Sequence, residues 1–279
     1  MVSLSLTLMI FAGSVLAGVI GALLGLGGGI IIIPLLTLVF GIDIRYAIGA
    51  SIVSVIATSS GAAAAYIRDR ITNIRIGMFL EMATTTGAIV GAFMAGLISS
   101  RLLYFIFAFV MGYSTMALFQ RRNVELARDL PPHPLAIKLQ LAGSYYDQVL
   151  HQQVNYISAG VYAGFGTMFA AGILSGLLGI GNGVFKVMAM DMFMKLPMKV
   201  STATSNFMIG ITAAASAGIY FARGYINPAI TAPVALGVVL GAILGTRLMV
   251  RLRNATIRKV FLPVLVYVAL QMLIKGIRG

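Results

Sequence analysis

The 279-residue sequence predicts an all-α integral membrane protein built from two inverted-topology repeats. Each repeat is expected to hold a glycine-broken helix pair, re-entrant or V-shaped, followed by three transmembrane helices. Three observations carry this expectation. The chain is 59% hydrophobic and only 10% charged, against about 45–50% and about 25% for a soluble domain. Its apolar stretches repeatedly approach the roughly 20 residues that a membrane-spanning helix needs. Shifting the numbering by 154 residues also aligns the two halves without a gap.

The first repeat (1–120) reads as helical segments near 4–23, 30–40, 46–66, 76–98 and 102–120. The first of these lacks a basic leader and a small-residue cleavage site, so no removable signal peptide is expected. Residues 121–155 are the only long polar stretch and form a linker holding His133 and His151. Within it, 137–156 alternates apolar and polar residues around Gly143-Ser144, which predicts a small β-hairpin. The second repeat (156–279) follows with segments near 156–178, 184–194, 200–221, 228–250 and 259–275. The register between the repeats places Gly25, Gly27 and Gly29 on Gly179, Gly181 and Gly183. It also places Ser51 on Ser205, Tyr66 on Tyr220, Asn73 on Asn227, and Gly87 with Gly91 on Gly241 with Gly245.

The charges choose the topology. There are 20 Lys+Arg against 7 Asp+Glu, a net charge of +13. In a soluble protein such an excess would indicate nucleic acid; in a membrane protein it is first a loop bias that sets orientation. If each split helix pair crossed the membrane once, the repeats would be parallel and the basic residues would divide 10 against 9. If each pair enters and returns to the same face, 14 of the 20 share one face: the 68–75 loop, the linker, Lys195 with Lys199, and five from Arg247 to Lys259. Arg45, Arg101, Arg223, Lys275 and Arg278 take the other face, and Lys186 stays at membrane depth. The bias favours inverted repeats with a cytoplasmic linker and both termini outside.

The chemistry gathers at the breaks. "GLGGG" (25–29) and "GIGNG" (179–183) each separate a full-length helix from an 11-residue one. Glycine lets a helix stop and restart, and a restart at that depth presents free N–H groups. Two such tips meeting near the midplane would bind an anion. The candidate substrate-binding residues are therefore Gly27, Gly28, Gly29, Gly181, Asn182 and Gly183. The alternative is that these glycines serve close helix packing. The following helices add hydroxyls and an amide, of which Ser51, Thr204, Ser205 and Asn206 are the substrate candidates. Hydrogen bonding between helices, or back to the i−4 carbonyl, is their structural alternative. A lysine at the depth of Lys186 is expensive and reads as functional, its alternative being a pair with Asp191. Glu81 is a coupling candidate, its alternative a partner in Arg75 or Arg68.

The run "KVMAMDMFMKLPMK" (186–199) sets Met188 with Met192 and Met190 with Met194 at i, i+4. That spacing suits a soft metal such as Cu(I) and equally suits packing. With no cysteine, thiolate metal sites and thiol catalysis are excluded. No catalytic constellation and no NTPase phosphate loop is present, so no enzyme activity, cofactor or metal site is assigned.

The paired motifs "GALLGLGGGIIIIP" (21–34) and "SGLLGIGNGVFKVMAM" (175–190), with "KVSTATSNFMIGITAAAS" (199–216) and "GSYYD" (143–147), resemble those of the sulfite exporter TauE/SafE family of bacterial and archaeal permeases. The resemblance covers nearly the whole chain. It implies a multi-pass permease of a prokaryotic inner or plasma membrane that moves sulfite, sulfonates or related organosulfur anions. Asn182 departs from the family pattern, which commonly has a third glycine there; asparagine tolerates left-handed geometry and can donate a hydrogen bond. The expected partners are a small anionic substrate and membrane lipid, with no nucleic acid; a homo-oligomer stays open. Two other classes stay open at this level, a Cu(I) channel using the Met-rich segment and a non-transporting membrane scaffold.

Overall fold

The computed structural model describes residues 4–24, 28–68, 71–120, 134–147, 151–249 and 254–278. The first repeat contributes α1 (Leu4–Leu24), α2 (Gly29–Pro34), α3 (Ile44–Arg68), α4 (Ile74–Leu97) and α5 (Ser100–Gln120). The linker contributes α6 (Pro134–Lys138) and two strands, β1 (Ala142–Asp147) and β2 (Gln152–Ile157). The second repeat contributes α7 (Val161–Leu178), α8 (Gly183–Met188), α9 (Met198–Ala222), α10 (Pro228–Met249) and α11 (Asn254–Arg278). A π turn continues each short helix, Leu35–Val39 after α2 and Ala189–Phe193 after α8. Each short helix with its π turn is thus 11 residues, too short to span.

Both repeats start their fourth helix with the same cap. Asn73 Oδ1 accepts from the Ile76 amide at 3.1 Å, and Asn227 Oδ1 accepts from the Ala229 amide at 3.0 Å. Each side chain thereby satisfies an amide that the first turn leaves open.

Packing follows the duplication. Helix α1 runs along α10, and α7 runs along α4; α3 packs on α9 and α5 on α11. Exchanging the repeats maps every one of these pairs onto itself or its counterpart. The α4–α7 contact is close because it is built on small residues. A Cβ added at Gly91 would lie 2.0 Å from the Ile173 carbonyl oxygen, and one at Gly176 would lie 2.0 Å from that of Ala88. In α5 and α11 the start meets the end: Arg101 Nε donates to the Gly276 carbonyl at 2.9 Å. Likewise Tyr46 at the start of α3 stacks edge-on with Tyr225 beyond the end of α9. Both self-paired contacts are therefore antiparallel.

The same contacts sort the loops. Arg45 donates to the Ile98 carbonyl and lies over the Tyr225 ring, while Arg223 donates to the Ala92 carbonyl. At the opposite end the Asn73 amide donates to Thr204 Oγ1, and Asn73 Nδ2 donates to Tyr156 of the hairpin. The strands pair antiparallel from Ala142↔Ile157 to Asp147↔Gln152. Gly143 and Ser144 lie inside β1 rather than at the turn. The reason is packing: a Cβ at Gly143 would meet the Tyr156 hydroxyl at 2.5 Å. Tyr145, Val154 and Tyr156 turn inward onto a core shared with α4, α7 and α9. His133 and the rest of 121–133 lie outside the described residues.

Among the described residues, five helices are long and apolar enough to cross a membrane: Leu4–Gly21, Ile74–Leu97, Val161–Leu178, Met198–Ala222 and Pro228–Gly245. Large apolar side chains such as Leu8, Phe93, Phe109, Phe221 and Leu236 cover much of the outer surface. A surface of that kind suits hydrocarbon rather than water.

Candidate functional site

The two helix breaks meet at the centre of the packing. Helix α7 stops at Gly179, which takes the left-handed conformation (φ 63°) and returns its amide to the Ser175 carbonyl at 2.8 Å. Gly181 (φ 68°) and Asn182 (φ 46°) continue left-handed before α8 starts at Gly183. Only glycine and, among larger residues, chiefly asparagine and aspartate accept such angles cheaply, which explains the sequence "GIGNG". The first break is seen from Gly28 onward; Gly27 lies outside the described residues.

Ser51 of α3 ties one break to the other. Its hydroxyl donates to the Gly179 carbonyl at 2.7 Å, while a Cβ placed on Gly29 would lie 2.5 Å from the same hydroxyl and 3.2 Å from the Gly179 oxygen. Val55, one turn later, lies 3.0 Å from such a Cβ at both Gly29 and Gly181. Gly29, Ser51, Gly179 and Gly181 thus form one junction between the repeats. Ser205, the counterpart of Ser51, instead donates to Gly183 of its own repeat at 3.3 Å.

Lys186 projects from α8 and is fully buried. Its ammonium donates to Thr212 Oγ1 of α9, and Thr212 in turn donates to Glu81 Oε1 of α4 at 2.7 Å. Thr85 Oγ1 donates to the same oxygen at 2.9 Å. Glu81 is 4% exposed, and its Oε2 is buried without a hydrogen-bond partner among the described residues. The carboxylate therefore answers to Thr212 and Lys186, while Arg75, one of its expected partners, donates to Gln140 instead. Charges of opposite sign linked through a hydroxyl offset part of the cost of burial.

Other candidates sit elsewhere. Gly28 packs against Val238 of α10, where a Cβ would come within 2.7 Å. Asn182 Nδ2 donates to the Ala171 carbonyl of α7 at 3.5 Å. Thr204 accepts from the Asn73 amide and so fastens α4 to α9. Asn206 returns to the Thr202 carbonyl of its own helix at 3.0 Å. Met190 and Met194 are buried in the apolar core while Met192 is half exposed, so the methionines alternate between packing and surface. Among the described residues no group of three or more His, Asp or Glu gathers as a metal site. Outside the spans, burial pushes the Tyr156 phenol up from its ordinary 10.0, against the hydrogen bond from Asn73 that lowers it.

Thr212 escaped the sequence reading although it had a signal. It lies seven residues after Ser205 on one helical stripe, and it corresponds to Thr58 in the first repeat.

The chain is similar to two probable membrane transporter proteins. A probable membrane transporter protein of Bacillus subtilis, YunE, is 27% identical over 284 residues, covering 98% of this chain and 99% of the relative. A second from the same organism, YdhB, is 27% identical over 223 residues, covering 80% and 82%. No solved structure matches the chain. The family model described as "Sulfite exporter TauE/SafE" matches residues 10–272, and the chain belongs to that family of membrane transporters.

Proposed function

We propose that the protein is a secondary transporter of small sulfur-containing anions, sulfite, sulfonates or related oxyanions, working by alternating access. The observation that carries this reading is the junction of Gly29, Gly179, Gly181 and Ser51, together with a fully buried lysine, Lys186, on the short helix that restarts after it. A buried cation on the helix that follows glycine-permitted bare backbone suits a compact anion that must shed its water. Ser51 and Lys186 are the principal ligands in this reading, with Ser205 and Gly183 completing the second-repeat side.

The repeats are inverted in this reading. The antiparallel α5–α11 contact through Arg101 and Gly276 supports it, because parallel repeats would run those helices the same way. The linker faces the cytoplasm and both termini face outside, supported by the 14 basic residues on the linker side. The membrane is the prokaryotic inner membrane. Transport is driven by an ion gradient or by the anion's own gradient.

The test is flux of labelled sulfite, thiosulfate and simple sulfonates into proteoliposomes, with protection against thermal unfolding measured in parallel. At least one anion is expected to be carried and to protect. Absence of both across the panel overturns the proposal.

A further inference from the structure

Each repeat supplies one of the two buried charges, Glu81 or Lys186, and neither charge has a counterpart in the other repeat. Applying the 154-residue register to Lys186, Thr212 and Glu81 gives Ile32, Thr58 and Ala235. The corresponding set, Ile32 and Thr58 from the first repeat with Ala235 from the second, therefore carries no charge at these positions. Buried ion pairs are often replaceable by apolar residues without loss of stability, and this chain holds such a replacement within itself. Packing alone does not require Lys186 and Glu81.

We infer that Glu81 takes up one proton for each anion that Lys186 binds, so that the protein moves anion and proton together. This rests on the anion-transport reading above. In the empty state Lys186 is positive and Glu81 negative, joined through the Thr212 hydroxyl, and the site carries no net charge. Placing an anion against Lys186 would leave one uncompensated negative charge in a low-dielectric interior, which is costly. A proton added to Glu81 Oε2, the oxygen with no partner, makes the carboxyl neutral. The ammonium then pairs with the anion alone, and the loaded site is again neutral. No bond to the anion is formed or broken, and the proton comes from the aqueous side.

Among the described residues, Asp191 in the π turn after α8 is the acidic group nearest Lys186 in sequence, and the helices packed on α4 bring few charges. Helix α7, packed along α4, carries no charged side chain, and its only titratable group is the exposed Tyr162. Helix α9 carries one charge, Lys199 in its first turn, and Tyr220 near its far end. On α4 itself Arg75 is engaged with Gln140. Among the described residues, Lys186 from α8 is the charged side chain linked to Glu81, through Thr212.

The experiment titrates the purified full chain with methanesulfonate, the anion of a strong acid that brings no proton of its own. Calorimetry in buffers of different ionisation enthalpy counts the protons taken up. One proton per anion is expected, with affinity falling about tenfold per pH unit once Glu81 is ionised. Glu81→Gln, fixed in the neutral form, is expected to take up none and to bind with an affinity that no longer follows pH. The inference is overturned if the unaltered protein binds methanesulfonate without proton uptake, or if Glu81→Gln still takes up a proton. Those results leave anion transport standing. Failure of methanesulfonate, thiosulfate and sulfite alike to bind or be carried overturns the transport reading and this inference together.

Discussion

Replacing Lys186 with isoleucine copies the residue that the first repeat carries at Ile32, but it strands the Glu81 carboxylate. Glu81 is 4% exposed and, among the described residues, keeps Thr212 and Thr85 as donors. Removing one partner of a buried charge pair costs about 3–5 kcal/mol, and the bridging hydroxyl that remains favours the lower end, about 3 kcal/mol. Glu81→Ala alone strands the ammonium at a similar cost. The double variant Lys186→Ile/Glu81→Ala reproduces the charge-free set Ile32, Thr58 and Ala235, and should fall within about 1 kcal/mol of the unaltered protein. With each single loss about 3 kcal/mol and the double loss at most about 1 kcal/mol, the cycle predicts a favourable coupling of about 5 kcal/mol between the two sites. Reversible unfolding in mixed detergent micelles measures all four proteins. Additive losses, with the double variant as unstable as the two singles summed, would refute the claim that Lys186 and Glu81 compensate each other.

Gly176→Ala places a methyl 2.0 Å from the Ala88 carbonyl oxygen, and the forced separation of α4 and α7 should cost about 1–3 kcal/mol, read as a lower unfolding midpoint. Ser51→Ala removes the bond to Gly179; about 1 kcal/mol of stability and a weaker anion affinity are expected in binding titrations. Because the chain has no cysteine, Thr256→Cys gives a unique label site, expected to react only with reagent admitted to the cytoplasmic side. Labelling from outside in intact cells would contradict the inverted arrangement. The Tyr156 phenol is raised above its ordinary 10.0, so the neutral form is favoured in the folded protein. Its contribution is full below about pH 10 and is lost as pH rises through the folded value. An unfolding series should show that loss shrinking in Tyr156→Phe.

The repeat and its two breaks were legible because they are local patterns: glycine runs, segment lengths and a constant register. The left-handed Gly179, Gly181 and Asn182 follow from residue type alone. What the sequence concealed were contacts between distant segments. Glu81 and Thr212 are 131 residues apart, and no periodicity within α4 or α9 announces that they touch. A charged neighbour on the same helix looked the better partner for Glu81, yet Arg75 points to the linker's Gln140. Gly143-Ser144 resembles a turn, but its glycine exists to let the Tyr156 hydroxyl pass close. Thr204 and Asn206 share a stretch with Ser205, but successive helix positions face different neighbours. Thr204 therefore meets α4 and Asn206 bonds its own helix.

In the proposed mechanism Lys186 binds the anion and does not hold the fold together. Uptake of labelled anion into proteoliposomes, compared between the unaltered protein and Lys186→Ile/Glu81→Ala, tests it most directly. The double variant is expected to fold and insert normally and to carry none of the anions that the unaltered protein carries. Transport by the double variant at the unaltered rate would contradict it.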